Sequence, residues 1–263
     1  MNFLLALACL LLCALFLPLS TNSYLFSPSI RPSSQSPALR ARTMAKYGII
    51  SAARAQIPEI IYGTAWKKEK TQSFVEEAVK QGFRAIDTAC QPKHYHEKGV
   101  GDALSSLYSQ STIQREDIFL QTKFTSINGQ DPRNIPYDPK LPLREQVLQS
   151  FAVSLENLQT TYVDSLVMHS PMSTLQDTLT VWKTFEELQK QGKVRFLGLS
   201  NCYQLPLLRA VVQAAEVRPT FLQNRFYRET GYDAELRAFC KEQGIRYQSF
   251  WTLTANPDLV RRY

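Results

Sequence analysis

Asp87, Tyr95, Lys123 and His169 fall just after three successive apolar segments in the middle of this chain, FRAID, DIFLQTK and YVDSLVMH. A carboxylate, a phenol, an ammonium and an imidazole gathered at one place can tune a phenolic proton for donation while orienting a carbonyl. Taken singly, each has a plainer reading: Asp87 as a helix cap, Lys123 as a surface residue, His169 as a satisfied strand-end histidine. Their joint occurrence reverses that preference.

To meet, the four must be carried by elements that end side by side. Each apolar segment reads as a buried parallel strand, and stretches of helical period separate them. The pass along the chain predicts strands at 59–63, 83–87, 117–122, 163–168, 194–199, 220–223 and 245–250. Helices are predicted near 71–81, 97–108, 143–159, 174–191, 204–214 and 232–243, and PDLVRRY opens a seventh. Regular alternation with short connections implies a parallel sheet, and no GxGxxG follows any strand, which favours a barrel over a doubly wound sheet. The expected fold is therefore α/β, a (β/α)8 TIM-type barrel whose eighth strand is missing, so that it is truncated after the seventh. The connection from Phe124 to Leu141 is long and rich in Pro, Asn, Asp and Gly; such a loop either shapes a pocket or is a solvated insertion.

Composition divides the chain. Residues 1–58 hold Arg31, Arg40, Arg42, Lys46 and Arg54 and no acid; removing these five from the 30 basic residues leaves 25 against 23 acids. The body is thus nearly neutral, and without a basic stripe a nucleic-acid partner is not expected. The apolar run from Phe3 to Leu17 is short for a membrane span and fits a signal peptide, so 1–23 reads as signal-like. The acid-free Ser/Pro/Arg-rich tract that follows makes 24–57 transit-like. Together they resemble the bipartite plastid leaders of algae with secondary plastids, entered through the secretory route; secretion is the alternative. The body proper is 58–263. Its widely spaced Cys90, Cys202 and Cys240 form neither a disulfide framework nor a CxxC zinc pair.

IDTA with Asp87, QTK with Lys123, YVDSLVMHSP with His169 and GKVRFLGLSN with Ser200 and Asn201 resemble, in order and separation, the aldo-keto reductases, from about Ile60 onward. The resemblance implies NADPH, with NADH left open, giving hydride to the carbonyl of a small aldehyde or ketone. It implies Tyr95 as proton donor, Lys123 lowering the phenol's pKa, Asp87 holding Lys123 charged, and His169 hydrogen-bonding the substrate carbonyl. The aspartate-to-tyrosine interval is longer here than in the family; Glu97, Val100 and Gly101 anchor the alignment, and Gln91, Pro92 and Lys93 read as a small insertion. Gly63 and Thr64 match a stretch where backbone approaches the nicotinamide. Asp87 borders the same site, and Ser200, Asn201 and Gln223 match positions that hold the carboxamide, while Phe250 matches the aromatic that stacks on the ring. Trp66, Phe124 and Trp251, by strand-end position, are expected to wall the substrate pocket.

Two other classes are carried beside this one. A non-catalytic dinucleotide-binding or interaction module accounts for the missing barrel end. A metal-dependent hydrolase accounts for His94 and His96 as an HxH pair, although Pro92 argues against a strand there and two partly exposed loop histidines is the simpler reading.

Overall fold

The computed structural model describes residues 57–260. The signal-like and transit-like readings of the leader, Ile57 apart, lie outside the described residues.

Among the described residues seven strands form: β1 (Tyr62–Gly63), β2 (Ala85–Asp87), β3 (Phe119–Phe124), β4 (Val163–Met168), β5 (Val194–Ser200), β6 (Phe221–Arg225) and β7 (Arg246–Phe250). Each is followed by a helix: α1 (Thr71–Lys80), α2 (Glu97–Ser109), α3 (Leu143–Leu158), α4 (Leu175–Lys190), α5 (Leu205–Ala214), α6 (Ala234–Gln243) and α7 (Pro257–Val260). All neighbours pair in parallel and the strands lie in chain order from β1 to β7. A doubly wound sheet would reverse that order at a switch point; monotonic order is that of a (β/α) barrel, here an open one of seven strands. The sheet curls far enough for Gln121 of β3 to bond Gln248 of β7 across its interior, Nε2 to Oε1 at 3.1 Å.

Strand alternation sorts the side chains. Inward-facing residues at the start of the strands are apolar: Ala85, Phe119 and Phe221 form a plug, with Ile57, Ile61 and Phe196 packed on it. Two residues further along the same columns the interior turns polar, with Asp87, Gln121, Gln223 and Gln248. The outward residues, Leu120, Leu166 and Leu197 among them, meet the helices in the main core around Trp182 and Phe185. Helix ends follow local chemistry: Thr174 caps α4 by accepting from Asp177 N at 3.0 Å, and Gly244 ends α6 at φ 70°.

The predicted strand at 59–63 is shorter, and that at 117–122 lies at 119–124, which puts Lys123 inside β3. The 3₁₀ turns at Lys68–Lys70, Arg115–Asp117, Ile127–Gly129 and Arg228–Asp233 were too short to leave a periodic signal. The 124–141 connection folds back onto the sheet: Tyr137 is buried and its hydroxyl donates to Thr125 O at 2.9 Å, while Gln130 Nε2 donates to Cys90 O at 2.9 Å. Among the described residues, no helix is long and apolar enough to cross a membrane.

Candidate active site

Strand β3 is the spine of the site, because its pairing continues past the ends of its neighbours. Thr88 N donates to Gln121 O, Cys90 N to Lys123 O and His169 N to Phe124 O, at 2.9, 3.1 and 2.9 Å. The chain after β2 and after β4 is thereby fixed against Lys123. Lys123 is 2% exposed, and its ammonium meets Asp87 Oδ1 and Oδ2 at 2.6 and 2.7 Å and Thr88 O at 2.7 Å. Burial pulls the lysine pKa down, but Asp87 and then Tyr95 outweigh it and the net direction is up, so the ammonium keeps its proton.

Tyr95 sits in the turn between β2 and α2, its N–H and that of His94 both bonded to Gln91 O at 3.0 Å. The turn is pinned from behind by Glu97, the first residue of α2, whose buried carboxylate accepts from Thr122 Oγ1 at 2.5 Å and Ser154 Oγ at 2.9 Å. The Tyr95 ring lies 5.0 Å from the Lys123 ammonium and edge-on to His169, with centroids 5.8 Å apart. The four residues picked out by type and order thus meet at the C-terminal mouth of the barrel. The pKa expectation for Tyr95 needs correcting: Lys123 does pull it down, but burial is the larger influence and Asp87 adds to it, so the phenol lies above its ordinary value.

His169 stays neutral. Desolvation of its ring, with the charge of Lys123 next, pushes its pKa down to about 3. Its Nδ1 lies 2.7 Å from Thr125 Oγ1. Where that hydroxyl donates to Nδ1, the neutral ring keeps its hydrogen on Nε2 and offers Nε2–H as a donor. Asn201, at φ 51°, donates through Nδ2 to His169 O at 2.8 Å.

The residues expected around a cofactor line the neighbouring strand ends. Gly63 is exposed at the end of β1, with no atom within 4 Å of where a Cβ would stand. Thr64 Oγ1 donates to Asp87 O, Ser200 Oγ to Gln223 O, and Gln223 Nε2 to Gln248 Oε1. Phe250 lies in register with Arg225, in the same inward column as Gln248. A cavity of about 480 Å³ opens beside Tyr95 and His169, walled by Trp66, His94, Thr125, Asn128 and Met172.

Of the three aromatics expected in the pocket, Trp66 is there and two are not. Phe124 is 2% exposed and packs on Tyr137 in the outer core, because the residue between Lys123 and Thr125 must face the other side of β3. Trp251 stacks on the Arg225 guanidinium at 3.9 Å, away from this cavity. Thr125 was legible in principle, two residues after an inward lysine. Gln91, in a turn, and Asn128, in the short 3₁₀ turn Ile127–Gly129, carried no periodic signal. His94 and His96 do not act as a pair: His94 lines the cavity, whereas His96 is an exposed N-cap of α2. Among the described residues no group of three His, Cys, Asp or Glu side chains is placed to hold a metal ion.

Comparison with known proteins bears on the family of the chain. The sequence profile of the aldo/keto reductase family matches residues 59–260. A glyoxal reductase of Bacillus subtilis is 34% identical over 183 residues, covering 69% of this chain and 57% of that protein. An NAD(P)H-dependent 6'-deoxychalcone synthase of Glycine max is 29% identical over 218 residues, 76% of this chain and 64% of its own. The chain therefore spans less than two thirds of the length of these relatives. The crystal structure of an aldo/keto reductase from Brucella melitensis superposes with a TM-score of 0.61 at 31% identity, covering 75% of this chain and 70% of that one. With the seven-stranded parallel sheet and the residues at its mouth, the match over 59–260 establishes that the chain belongs to the aldo/keto reductase family.

Proposed function

We propose that this protein reduces a small aldehyde or ketone to the alcohol, with NADPH as hydride source and Tyr95 as proton donor. The observation that carries the reading is the buried Asp87–Lys123 ion pair, set beside the Tyr95 ring and His169 on the wall of one cavity. The names of the relatives, a glyoxal reductase and an NAD(P)H-dependent synthase, support the reaction class and the cofactor type.

The strand-end residues fit a nicotinamide. A primary amide needs an acceptor and a donor, and Gln223 Oε1 accepts no hydrogen bond from the described residues while Ser200 and Asn201 lie alongside. Ser200, Asn201 and Gln223 would hold the carboxamide, Phe250 would lie against the ring, and Gly63 with Thr64 would border it. Bound there, the nicotinamide supplies hydride to the carbonyl carbon. Tyr95 O–H delivers the proton to the carbonyl oxygen, and Lys123 stabilises the phenolate left behind. Asp87 keeps Lys123 charged and fixed. His169 Nε2–H holds the oxygen toward Tyr95 and polarises the C=O bond.

Tyr95→Phe keeps the ring and removes the proton. Turnover of a carbonyl panel, followed by NADPH consumption, should fall by about 10² to 10⁴ while cofactor binding survives. Near-normal turnover in that variant would remove Tyr95 as the acid. Lys123→Met should also suppress turnover, and because Lys123 lowers the phenol's pKa, its loss should move the alkaline limb of the profile to higher pH.

We also propose, from composition, that residues 1–57 are an address separate from the barrel, leading into the secretory route and on to a plastid. Fused to a fluorescent reporter, they should send it there; diffuse cytosolic fluorescence would end this reading.

A further inference from the structure

The Gln91–Pro92–Lys93 stretch that lengthens the path to Tyr95 also orients a second imidazole in the cavity. Gln91 is 6% exposed and spans two bonds: its Nε2 donates to Gly129 O at 2.6 Å, and its Oε1 lies 3.0 Å from His94 Nδ1. Only the NH₂ end can donate to a carbonyl, so Gly129 decides which way the amide points, and the oxygen must face His94. His94 Nδ1 therefore carries the proton. A neutral ring with hydrogen on Nδ1 presents a bare lone pair at Nε2. Burial, with Lys93 contributing, holds the His94 pKa below its ordinary value, so the neutral form persists at neutral pH. The ring is also held in place: it lies against Trp66 at a tilt of 37° with centroids 3.9 Å apart, and His94 O accepts from Trp66 N at 2.7 Å.

The two imidazoles on this cavity thus offer opposite polarity. Both rings line the cavity; His94 with Nδ1–H has an acceptor at Nε2, the opposite of the Nε2–H role proposed for His169. An aldehyde or ketone without a hydroxyl has no donor to offer it, and would leave the acceptor unpaired as it displaced water. We propose that His94 is a specificity-determining residue: its Nε2 accepts a hydrogen bond from a hydroxyl on the carbon next to the substrate carbonyl. The cavity then selects α-hydroxy aldehydes and ketones over their deoxy counterparts. This inference rests on the carbonyl-reducing reading of the same site.

The test compares kcat/KM for hydroxyacetone with that for acetone, and for glyceraldehyde with that for propanal, in the full chain and in His94→Phe, which keeps a ring for Trp66. The unmodified chain should favour the hydroxylated member of each pair by about tenfold or more, as expected for one hydrogen bond left unmade, and the ratio should drop toward one in the variant. A ratio near one in the unmodified chain, or one that His94→Phe leaves alone, overturns the proposal. The chain has only 3 histidines, so its ¹⁵N imidazole spectrum is assignable without any variant. His94 should show protonated Nδ1 and unprotonated Nε2, and Nε2 should shift on adding hydroxyacetone but not acetone. A protonated Nε2, or equal responses to both ligands, overturns the proposal even if His94→Phe fails to fold. Absence of turnover with every carbonyl would count against the reaction reading, and the titration would still decide the hydroxyl contact.

Discussion

Lys123 keeps its charge in a nearly solvent-free position because both Asp87 oxygens and Thr88 O close around it. His169, close enough to feel its charge, is driven the other way: the same loss of water, with the lysine charge added, makes its protonated form costly. This has a consequence for stability. Unfolded, the imidazole titrates near 6.5; folded, its pKa lies at about 3. Between those values the unfolded chain binds a proton that the folded one does not, so stability falls as pH drops through that window, by at most about 1.4 kcal/mol per pH unit from this group. Melts of unmodified protein and of His169→Gln between pH 7 and 4 should show the steeper decline in the unmodified chain. Equal slopes would show that the folded imidazole takes up its proton at an ordinary pH. The residue types were legible in sequence, whereas the net rise of the Tyr95 pKa was not, since it depends on how burial weighs against one nearby cation.

At the scale of elements, α2 must hold two things at once: Glu97 at its start, which braces the Tyr95 turn, and close contact with α3 further along. Gly101 makes that contact possible. A Cβ there would stand 2.1 Å from Asn157 O and 3.0 Å from Leu158 Cα, both backbone atoms that cannot step aside cheaply. Gly101→Ala should therefore destabilise the fold by about 1 to 3 kcal/mol. For a domain of this size each kcal/mol corresponds to roughly 2 to 4 °C in Tm, readable by thermal denaturation. An unchanged Tm would mean that α2 and α3 separate easily, and the bracing of Tyr95 through Glu97 would then be looser than drawn. The helices and strands themselves were readable because amphipathic period and apolar runs are local properties. Loop 124–141 was not: its choice between solvated insertion and cavity wall depends on Tyr137 and Gln130 finding Thr125 O and Cys90 O.

At the scale of the described fold, the seam between β1 and β7 matters most. Among the described residues β1 pairs only with β2 and β7 only with β6, so each presents a backbone edge with unmade hydrogen bonds. Arg246 Nη1 donates to Ile57 O at 3.3 Å, a side-chain link toward the other side of the seam. Native domains hold only about 5 to 15 kcal/mol in reserve, and an edge on both sides of a curled sheet invites association. We expect residues 58–263 expressed alone to associate at this seam and to melt at a lower temperature than the same residues joined to a further strand–helix unit. Joining a strand–helix unit of family type after residue 263 should raise solubility and Tm and strengthen NADPH binding. A sharp melt of monomeric 58–263, with no gain from the added unit, would show that seven strands suffice.

Sequence alone determined the alternation of strands and helices, the barrel class, and four polar residues on or shortly after successive strands, because each rests on short-range pattern and chain order. It could not decide which aromatic faces the mouth: Phe124 is adjacent to Lys123 in the chain and for that reason on the opposite side of β3. Nor could it orient the two imidazoles. Those depend on Gln91 meeting Gly129, 38 residues away, and on Thr125 meeting His169, 44 residues away. A hydrogen bond between such distant residues exists only once the sheet has curled and brought the strand ends to one mouth. Which nitrogen carries the proton is therefore a property of the tertiary fold.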